Sequence, residues 1–150
     1  MKNKDGRKIA IACDHAGYKL KEELLDFFRK NEGLIIDDLG TYSPESVDYP
    51  DYAHKIATAI EEGKYNIGLT ICGSGNGINM TANKHQGIRS ALCWNEEISR
   101  LARAHNDANV CAMPGRFISL EKAVLIVKTF LTTPFDGGRH LRRVKKIPLK

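Results

Sequence analysis

The stretch Asn66-Ile67-Gly68-Leu69-Thr70-Ile71-Cys72-Gly73-Ser74-Gly75-Asn76-Gly77 decides the fold of this chain. Residues 66–71 are an apolar run typical of a buried strand, and the pattern of residues 78–84 favours a helix. The glycine-rich turn between them therefore lies at the carboxyl end of a strand. The N–H groups of such a turn and the partial positive charge of a helix start favour a bound phosphate or enolate-like oxyanion. Since the same field favours thiolate over thiol at Cys72, this residue is a candidate base or nucleophile beside an anion site.

Strand and helix patterns alternate on both sides of this turn. We expect strands at residues 8–13, 34–38, 66–71, 87–93 and 109–113, and helices at residues 18–30, 52–62, 78–84, 96–104 and 120–131. The alternating order predicts an α/β fold of three layers, in which a five-stranded parallel sheet carries helices on both faces. No repeat or linker divides the chain, so residues 1–150 are predicted to form one domain.

Candidate site residues follow three of the predicted strands. In open parallel sheets, ligands bind beyond the carboxyl ends of the strands. This rule gathers Asp14 and His15, residues 72–77 and residues 113–116 at one edge. Asp14 has two interpretations, a helix cap and an acid–base group. The glycine turn matches neither the dinucleotide fingerprint nor the P-loop, so it does not predict a nucleotide site.

The net charge of +5 comes from the end of the chain. Removing the six basic residues there, which have no acid among them, leaves a net charge of −1; they are Arg139, Arg142, Arg143, Lys145, Lys146 and Lys150. A short basic tail binds a phosphorylated small molecule, a polyanion or nothing specific. In a helix, Arg139 and Arg143 would share one face, which suits a phosphate.

The four cysteines, Cys13, Cys72, Cys93 and Cys111, form no CxxC pair. We therefore expect free thiols rather than disulfides or a zinc site, with all but Cys72 serving as small core residues. No apolar run approaches the ~20 residues that span a membrane. The basic start flows directly into a strand pattern and contains no evident signal peptide. These features predict a cytoplasmic protein with no membrane partner.

Seven short motifs together resemble the ribose-5-phosphate isomerase B family of sugar-phosphate isomerases. They run from the first strand to the tail in the expected order: Asp14-His15-Ala16-Gly17, Asp48-Tyr49-Pro50, Cys72-Gly73-Ser74-Gly75-Asn76-Gly77, Ala82-Asn83-Lys84, Gly87-Ile88-Arg89, His105-Asn106-Asp107-Ala108-Asn109 and Gly137-Gly138-Arg139-His140. The resemblance implies a Rossmann-like α/β fold and a homodimer or higher assembly with active sites between subunits. It also implies interconversion of ribose 5-phosphate and ribulose 5-phosphate in the non-oxidative pentose phosphate pathway, without metal or nucleotide.

The resemblance also implies roles for individual residues. His105 would take part in opening the sugar ring, with Asp14 as its partner in proton transfer. Cys72 would move the proton between C2 and C1. Some family members have a glutamate in the loop beyond the glycines instead, but residues 77–79 here contain no acid. The enediolate would be met by the N–H groups of residues 73–77, namely Gly73, Ser74, Gly75, Asn76 and Gly77, by the Ser74 hydroxyl and by Asn106. His15, Arg116, Arg139 and Arg143 would hold the phosphate, and Tyr49 would line the sugar site.

Alternative functions remain open on the sequence. Related isomerases act on galactose 6-phosphate or allose 6-phosphate. A non-catalytic phospholigand or RNA-binding module would use the same glycine turn and basic tail, but no run of exposed aromatics is present to stack bases, so no nucleic-acid partner is expected. The five histidines show no metal-ligand spacing, so a metal-assisted hydride shift is not expected. The sequence does not distinguish a dimer from a tetramer. It also does not show which subunit supplies His105 and the arginines to each active site.

Overall fold

A computed structural model describes residue 3 and residues 5–149 of the chain. Its five strands are β1 (Ile9–Cys13), β2 (Asp37–Asp38), β3 (Ile67–Cys72), β4 (Ser90–Leu92) and β5 (Val110–Pro114). All pairings are parallel and the strand order is β2-β1-β3-β5-β4. In the central ladders Cys13 pairs with Ile71, and Cys72 pairs with Pro114, so the strands β1, β3 and β5 end at one common edge.

Six α-helices surround the sheet in the described part of the chain. They are α1 (Tyr18–Phe27), α2 (Tyr49–Glu61), α3 (Asn76–Ala82), α4 (Glu96–Asn106), α5 (Leu120–Thr132) and α6 (Arg139–Val144). A 3₁₀ turn at His15–Gly17 precedes α1, and a wide turn at Phe28–Glu32 follows it. The predicted three-layer α/β fold is confirmed. None of the helices within the described residues has both the length and the apolar character needed to cross a membrane.

Side chains along each strand alternate between the two faces of the sheet, so the core has two layers. Ile67, Leu69 and Ile71 of β3 pack on the side of α1, α4 and α5, within a large cluster of buried apolar residues. Cys72, at the end of the same strand, packs with Ala53 and Ile78 on the side of α2 and α3. Since successive side chains of a strand point to opposite faces, both faces of β3 are buried. The two layers therefore fix Cys72 between the sheet and α3.

Several predicted element boundaries are wrong. Only residues 37–38 of the predicted strand at 34–38 pair with β1, while the buried side chains of Leu34 and Ile36 pack into the core without a ladder. The helix α2 begins three residues before the predicted start, because Pro50 fits the first turn of a helix. The predicted helix at residues 18–30 corresponds to α1 and most of the wide turn after it, and the chain leaves the helical conformation at Gly33, which has a φ of 59°.

All four cysteines are free, as predicted, and all four are buried. Burial raises the pKa of the Cys13 thiol to about 12. Burial also raises the pKa of Cys111, and a hydrogen bond with Cys93 acts in the same direction. These three thiols belong to the large core cluster. Cys72 instead packs on the other face of the sheet and directly precedes the glycine turn.

Candidate active site

The predicted site residues lie at two opposite edges of the sheet. The carboxyl-edge group lies at or just beyond the ends of β1, β3 and β5, or at the start of α2. It consists of Asp14, His15, Tyr49, Cys72, residues 73–77 and Arg116. The amino-edge group lies just before β5 or on α6, and α6 packs against α4. It consists of His105, Asn106, Arg139 and Arg143. A parallel strand of β5's length spans roughly 15 Å. One copy of the chain therefore does not bring His105 to Cys72.

The glycine turn presents free backbone donors at the carboxyl edge. Gly75 has a φ of 77°, and a side chain there would lie 2.5 Å from Leu92 and 3.0 Å from the Met113 carbonyl carbon. Within the described residues, the N–H groups of Gly73, Ser74, Gly75 and Gly77 have no hydrogen-bond acceptor. The Asn76 N–H donates to Ser74 Oγ at 3.2 Å. Free donors at the start of α3 form an arrangement that binds an anion.

Asp14 serves as a helix cap, one of the two interpretations of the sequence. Its Oδ1 accepts hydrogen bonds from the N–H groups of Ala16 at 3.0 Å and Gly17 at 3.2 Å. Asp14 is 6% exposed, and its Oδ2 accepts no hydrogen bond from the described residues. The cap holds the carboxylate in one orientation, which leaves its second oxygen available to a ligand.

His15 connects the site to the loop that precedes α2. Its Nδ1 lies 3.2 Å from both the N and the O of Val47. When Nδ1 accepts from the Val47 N–H, the ring hydrogen resides on Nε2, and Nε2 then donates to a ligand. At the other end of this loop the Tyr42 hydroxyl donates to the Asp38 carbonyl at 3.0 Å. The loop is thus tied at one end to β2 and at the other to the 3₁₀ turn that follows β1.

Two glycines of the turn make room for side chains of the same edge. A Cβ on Gly77 would lie 2.5 Å from Cζ of Tyr49, and a Cβ on Gly73 would lie 3.2 Å from Nη1 of Arg116. The Arg116 N–H donates to the Gly73 carbonyl at 3.0 Å. The tyrosine ring and the guanidinium therefore flank the turn closely, and both residues are exposed.

An arginine clamp shapes the amino-edge loop. Asp107 ends α4 with a φ of 45°, a conformation that costs energy for a residue other than glycine. Arg89 donates to the carbonyls of Asn106 at 3.2 Å and Asp107 at 2.9 Å. Arg103 Nη1 donates to Asp107 Oδ1 at 3.0 Å. Sequence reasoning assigned no role to this clamp, which holds His105 and Asn106 in place.

The tail forms the helix α6, so Arg139 and Arg143, four residues apart, share one face. Both arginines are exposed on α6. The structure adds a contact that sequence reasoning missed, since the imidazole of His140 stacks on that of His105 at 4.2 Å and 12°. His140 belongs to the Gly137-Gly138-Arg139-His140 motif, but nothing local in the sequence pairs it with a residue 35 positions earlier.

The structure groups three metal-ligand side chains that are scattered in the sequence. His105, Asp136 and His140 each offer a donor atom, and these atoms lie within 4.8 Å of one another. The imidazole planes are nearly parallel, however, so their in-plane lone pairs do not converge on a common point. Arg139 and Arg143 add positive charge nearby, which disfavours a cation. The residues as arranged fit a ring stack rather than a metal centre.

Comparison with known proteins connects both edges to one family. A profile of the family described as ribose/galactose isomerase matches residues 9–147. The chain belongs to the ribose/galactose isomerase family. It is 43% identical to ribose-5-phosphate isomerase B of Escherichia coli over 94% of each chain. The family match includes both the carboxyl-edge and the amino-edge groups.

Solved structures of isomerase B proteins have the same fold. The chain superposes on ribose 5-phosphate isomerase of Thermotoga maritima with a TM-score of 0.92 and 50% identity, covering 95% of this chain and 98% of the other. A structure of ribose-5-phosphate isomerase B from Mycoplasma genitalium contains bound ribulose-5-phosphate. That comparison has a TM-score of 0.85 and 39% identity, covering 93% of each chain. The family resemblance predicted from the motifs is confirmed.

Proposed function

We propose that this protein is an aldose–ketose isomerase that interconverts ribose 5-phosphate and ribulose 5-phosphate through an enediolate. The observation that carries the proposal is the position of Cys72 at the end of β3, directly before a turn in which the N–H groups of four of the five residues 73–77 are free. The chemistry requires a base beside an oxyanion site. The similarity to isomerase B proteins of 39–50% identity, one of them with ribulose-5-phosphate bound, supports this substrate.

The central step is proton transfer between two carbons. The Cys72 thiolate takes the proton from C2 of the open-chain aldose, and the C2–H electron pair forms the C1–C2 double bond of the enediolate. The negative charge moves to the aldehyde oxygen, where the free N–H groups of Gly73, Ser74, Gly75 and Gly77 and the Ser74 hydroxyl stabilise it. The C2 hydroxyl then loses its proton as the C1 oxygen gains one, the C2 carbonyl forms, and return of the proton from Cys72 to C1 gives the ketose. The step needs no redox cofactor, because no electron leaves the substrate.

A complete site in this proposal needs two copies of the chain. Cys72, Asp14, His15, Tyr49 and Arg116 come from one protomer, whereas His105, Asn106, Arg139 and Arg143 come from its partner. The separation of these groups at opposite sheet edges supports such an assembly. Exposed apolar side chains beside the carboxyl edge also support it, since Trp94 is 52% exposed and Phe117 is 76% exposed. We expect a homodimer or a dimer of dimers.

The remaining site residues have two tasks, ring opening and phosphate binding. His105 of the partner and Asp14 exchange protons with the ring oxygen and the anomeric hydroxyl. The guanidinium groups of Arg116, Arg139 and Arg143, with His15, hold the phosphate through charge-assisted hydrogen bonds. Tyr49 lies over Gly77 and borders the sugar. A sugar phosphate as the substrate fits a cytoplasmic location, which we also propose.

The decisive experiment is an isomerase assay of the purified chain with ribose 5-phosphate, allose 6-phosphate and galactose 6-phosphate in the presence of EDTA. We expect rapid formation of ribulose 5-phosphate that EDTA does not reduce. Activity confined to a hexose phosphate would retain the mechanism and contradict the proposed substrate. Absence of activity with all three sugars would contradict the isomerase proposal, and tight RNA binding in that case would favour the non-catalytic module.

A further inference from the structure

A stacked pair of histidines lies at the amino edge, and one of its two members has no role in the mechanism proposed above. His105 is in the last turn of α4 and His140 is in the first turn of α6. Their ring centroids are 4.2 Å apart and their planes differ by 12°. Both side chains are half-buried, so each imidazole keeps one side open. His140 is thus the ring that limits rotation of His105.

Backbone contacts hold His140 against α4. The Asp136 N–H donates to the Ala104 carbonyl at 2.9 Å, next to His105 in the sequence. The chain then turns at Gly137 and Gly138, whose φ values are 67° and 55°. The His140 N–H donates to the Gly137 carbonyl at 3.0 Å. This tight connection fixes the start of α6 relative to the end of α4, so the backbone holds the two imidazole rings next to each other.

The charges around the stack favour an uncharged His140. Partial loss of solvent and the positive charges of His105 and Arg139 lower the pKa of His140, while Asp136 opposes the effect. Arg143 also acts to lower it. An uncharged ring does not repel a protonated partner, so it remains a suitable stacking surface when His105 carries a proton.

We propose that His140 is a positioning residue for ring opening, whose imidazole holds the ring of His105 in the orientation that reaches the sugar in the partner's site. This inference rests on the proposed function, because it presumes that His105 takes part in opening the sugar. His140 itself does not touch the reacting atoms. Its contribution is orientation, and misplacement of a catalytic group by about 1 Å costs up to about a hundredfold in rate.

Ring opening concerns only one of the two substrates. In cyclic ribose 5-phosphate the anomeric hydroxyl loses its proton, its electrons form the C1 carbonyl, and the bond from C1 to the ring oxygen breaks while that oxygen takes up a proton. Ribulose 5-phosphate does not close a five-membered ring, since the hydroxyl needed for it carries the phosphate. Exchange of a C1 hydrogen of ribulose 5-phosphate with D₂O therefore reports the Cys72 step without ring opening.

The test compares His140→Ala, which removes the ring, with His140→Phe, which keeps an aromatic surface. Full-length variants are assayed for isomerisation of ribose 5-phosphate and, by NMR, for deuterium exchange into ribulose 5-phosphate. We expect His140→Ala to lower kcat for ribose 5-phosphate about tenfold or more with KM within about twofold, and to leave exchange within about twofold of wild type. His140→Phe should recover kcat to within about threefold. His54→Ala, which removes one ring of a separate histidine pair, is the control and should match wild type.

Each contrary result overturns the inference. An unchanged kcat in His140→Ala would contradict the positioning role. An equal loss in isomerisation and in exchange would also contradict it, because it would indicate a general structural role. If His140→Ala loses activity and His140→Phe does not recover it, the ring stack is excluded as the cause of the loss. If His140→Ala does not fold, His140→Gln removes the ring with the same expected results. Wild-type protein that does not isomerise ribose 5-phosphate would instead contradict the proposed function.

Discussion

Tyr49 packs directly on the backbone of Gly77, so closely that a Cβ on Gly77 would lie 2.5 Å from Cζ of the tyrosine ring. The contact joins the first residue of α2 to the turn that opens α3. In the proposed mechanism it places the tyrosine beside the sugar and above the anion site. The turn therefore requires glycine at this position for space.

Gly77→Ala tests this contact. The added methyl group displaces the Tyr49 ring, and overpacking of this kind costs about 1–3 kcal/mol, so we expect kcat/KM for ribose 5-phosphate to fall about tenfold. Steady-state kinetics measure the effect. Gly87→Ala is the matched control, because its methyl group meets the flexible Glu61 side chain instead, at 3.0 Å. Equal losses in both variants would show that the effect is not specific to the tyrosine contact.

Cys72→Ser tests the proposed base. A hydroxyl is a much weaker acid than a thiol, so we expect kcat to fall by at least about 10²–10⁴-fold with the fold retained. Cys111→Ala should show the opposite pattern, a free energy of unfolding lower by about 1–2 kcal/mol and unchanged kcat, because Cys111 is a core residue. Circular dichroism melting and kinetics measure both variants. Near wild-type kcat in Cys72→Ser would exclude this thiol as the base.

Mixing two inactive variants tests the assembly of the site. Cys72→Ser removes a carboxyl-edge group and His105→Asn an amino-edge group. Random assortment into dimers gives half heterodimers, each with one intact site of two, so the mixture should recover about a quarter of wild-type activity. The variants are unfolded together, refolded and assayed. No recovery above the separate variants would indicate that both groups act within one chain, against the separation of the two sheet edges.

Glu61 makes stability depend on pH in the acid range. A hydrogen bond from the Gly87 N–H at 2.9 Å, and a second from His85 at 2.9 Å, lower the pKa of Glu61 from its ordinary value of 4.5. Because the folded-state pKa is lowered, the unfolded state binds more protons, and the stabilisation is present above pH 4.5 and lost as pH falls through the folded-state pKa.

Glu61→Gln should therefore destabilise the protein near pH 6, and its difference from wild type should shrink as the pH falls below 4.5. Urea unfolding between pH 3 and about pH 6 measures the difference. Glu62→Gln is the control, since it removes an acid from the next position, where the side chain pairs with Lys64 rather than with the loop around Gly87. A Glu61→Gln difference that is constant across this range would contradict the proposed linkage.

Periodicity predicted the sheet well because the pattern of a buried parallel strand is local. The five strands and their order along the chain follow from apolar runs separated by helical patterns, and each was found. The second strand shows the limit of this reasoning. Leu34 and Ile36 are apolar and buried as a strand requires, yet only residues 37–38 pair with β1. Burial of a side chain and pairing of the backbone are separate properties, and hydropathy reports only the first.

The position of His105 at the amino edge has a signal in the sequence, namely its place in the order of elements. A residue between a helix and the following parallel strand lies at the amino edge of the sheet, whereas one after a strand lies at the carboxyl edge. His105 is in the last turn of α4, directly before β5, and Cys72 is the last residue of β3. Their separation is therefore a consequence of element order.

The sequence by itself determined the parallel α/β sheet, the carboxyl-edge turn with Cys72 and Asp14, and the family. Strand and helix patterns are set by nearby residues, and parallel strands necessarily share one carboxyl edge. Only the tertiary structure decided which distant side chains touch: His140 on His105, Tyr49 on Gly77, and Arg89 and Arg103 around Asp107. These contacts depend on how helices pack against one another and on single backbone conformations, such as the positive φ of Asp107, which hydropathy patterns do not encode.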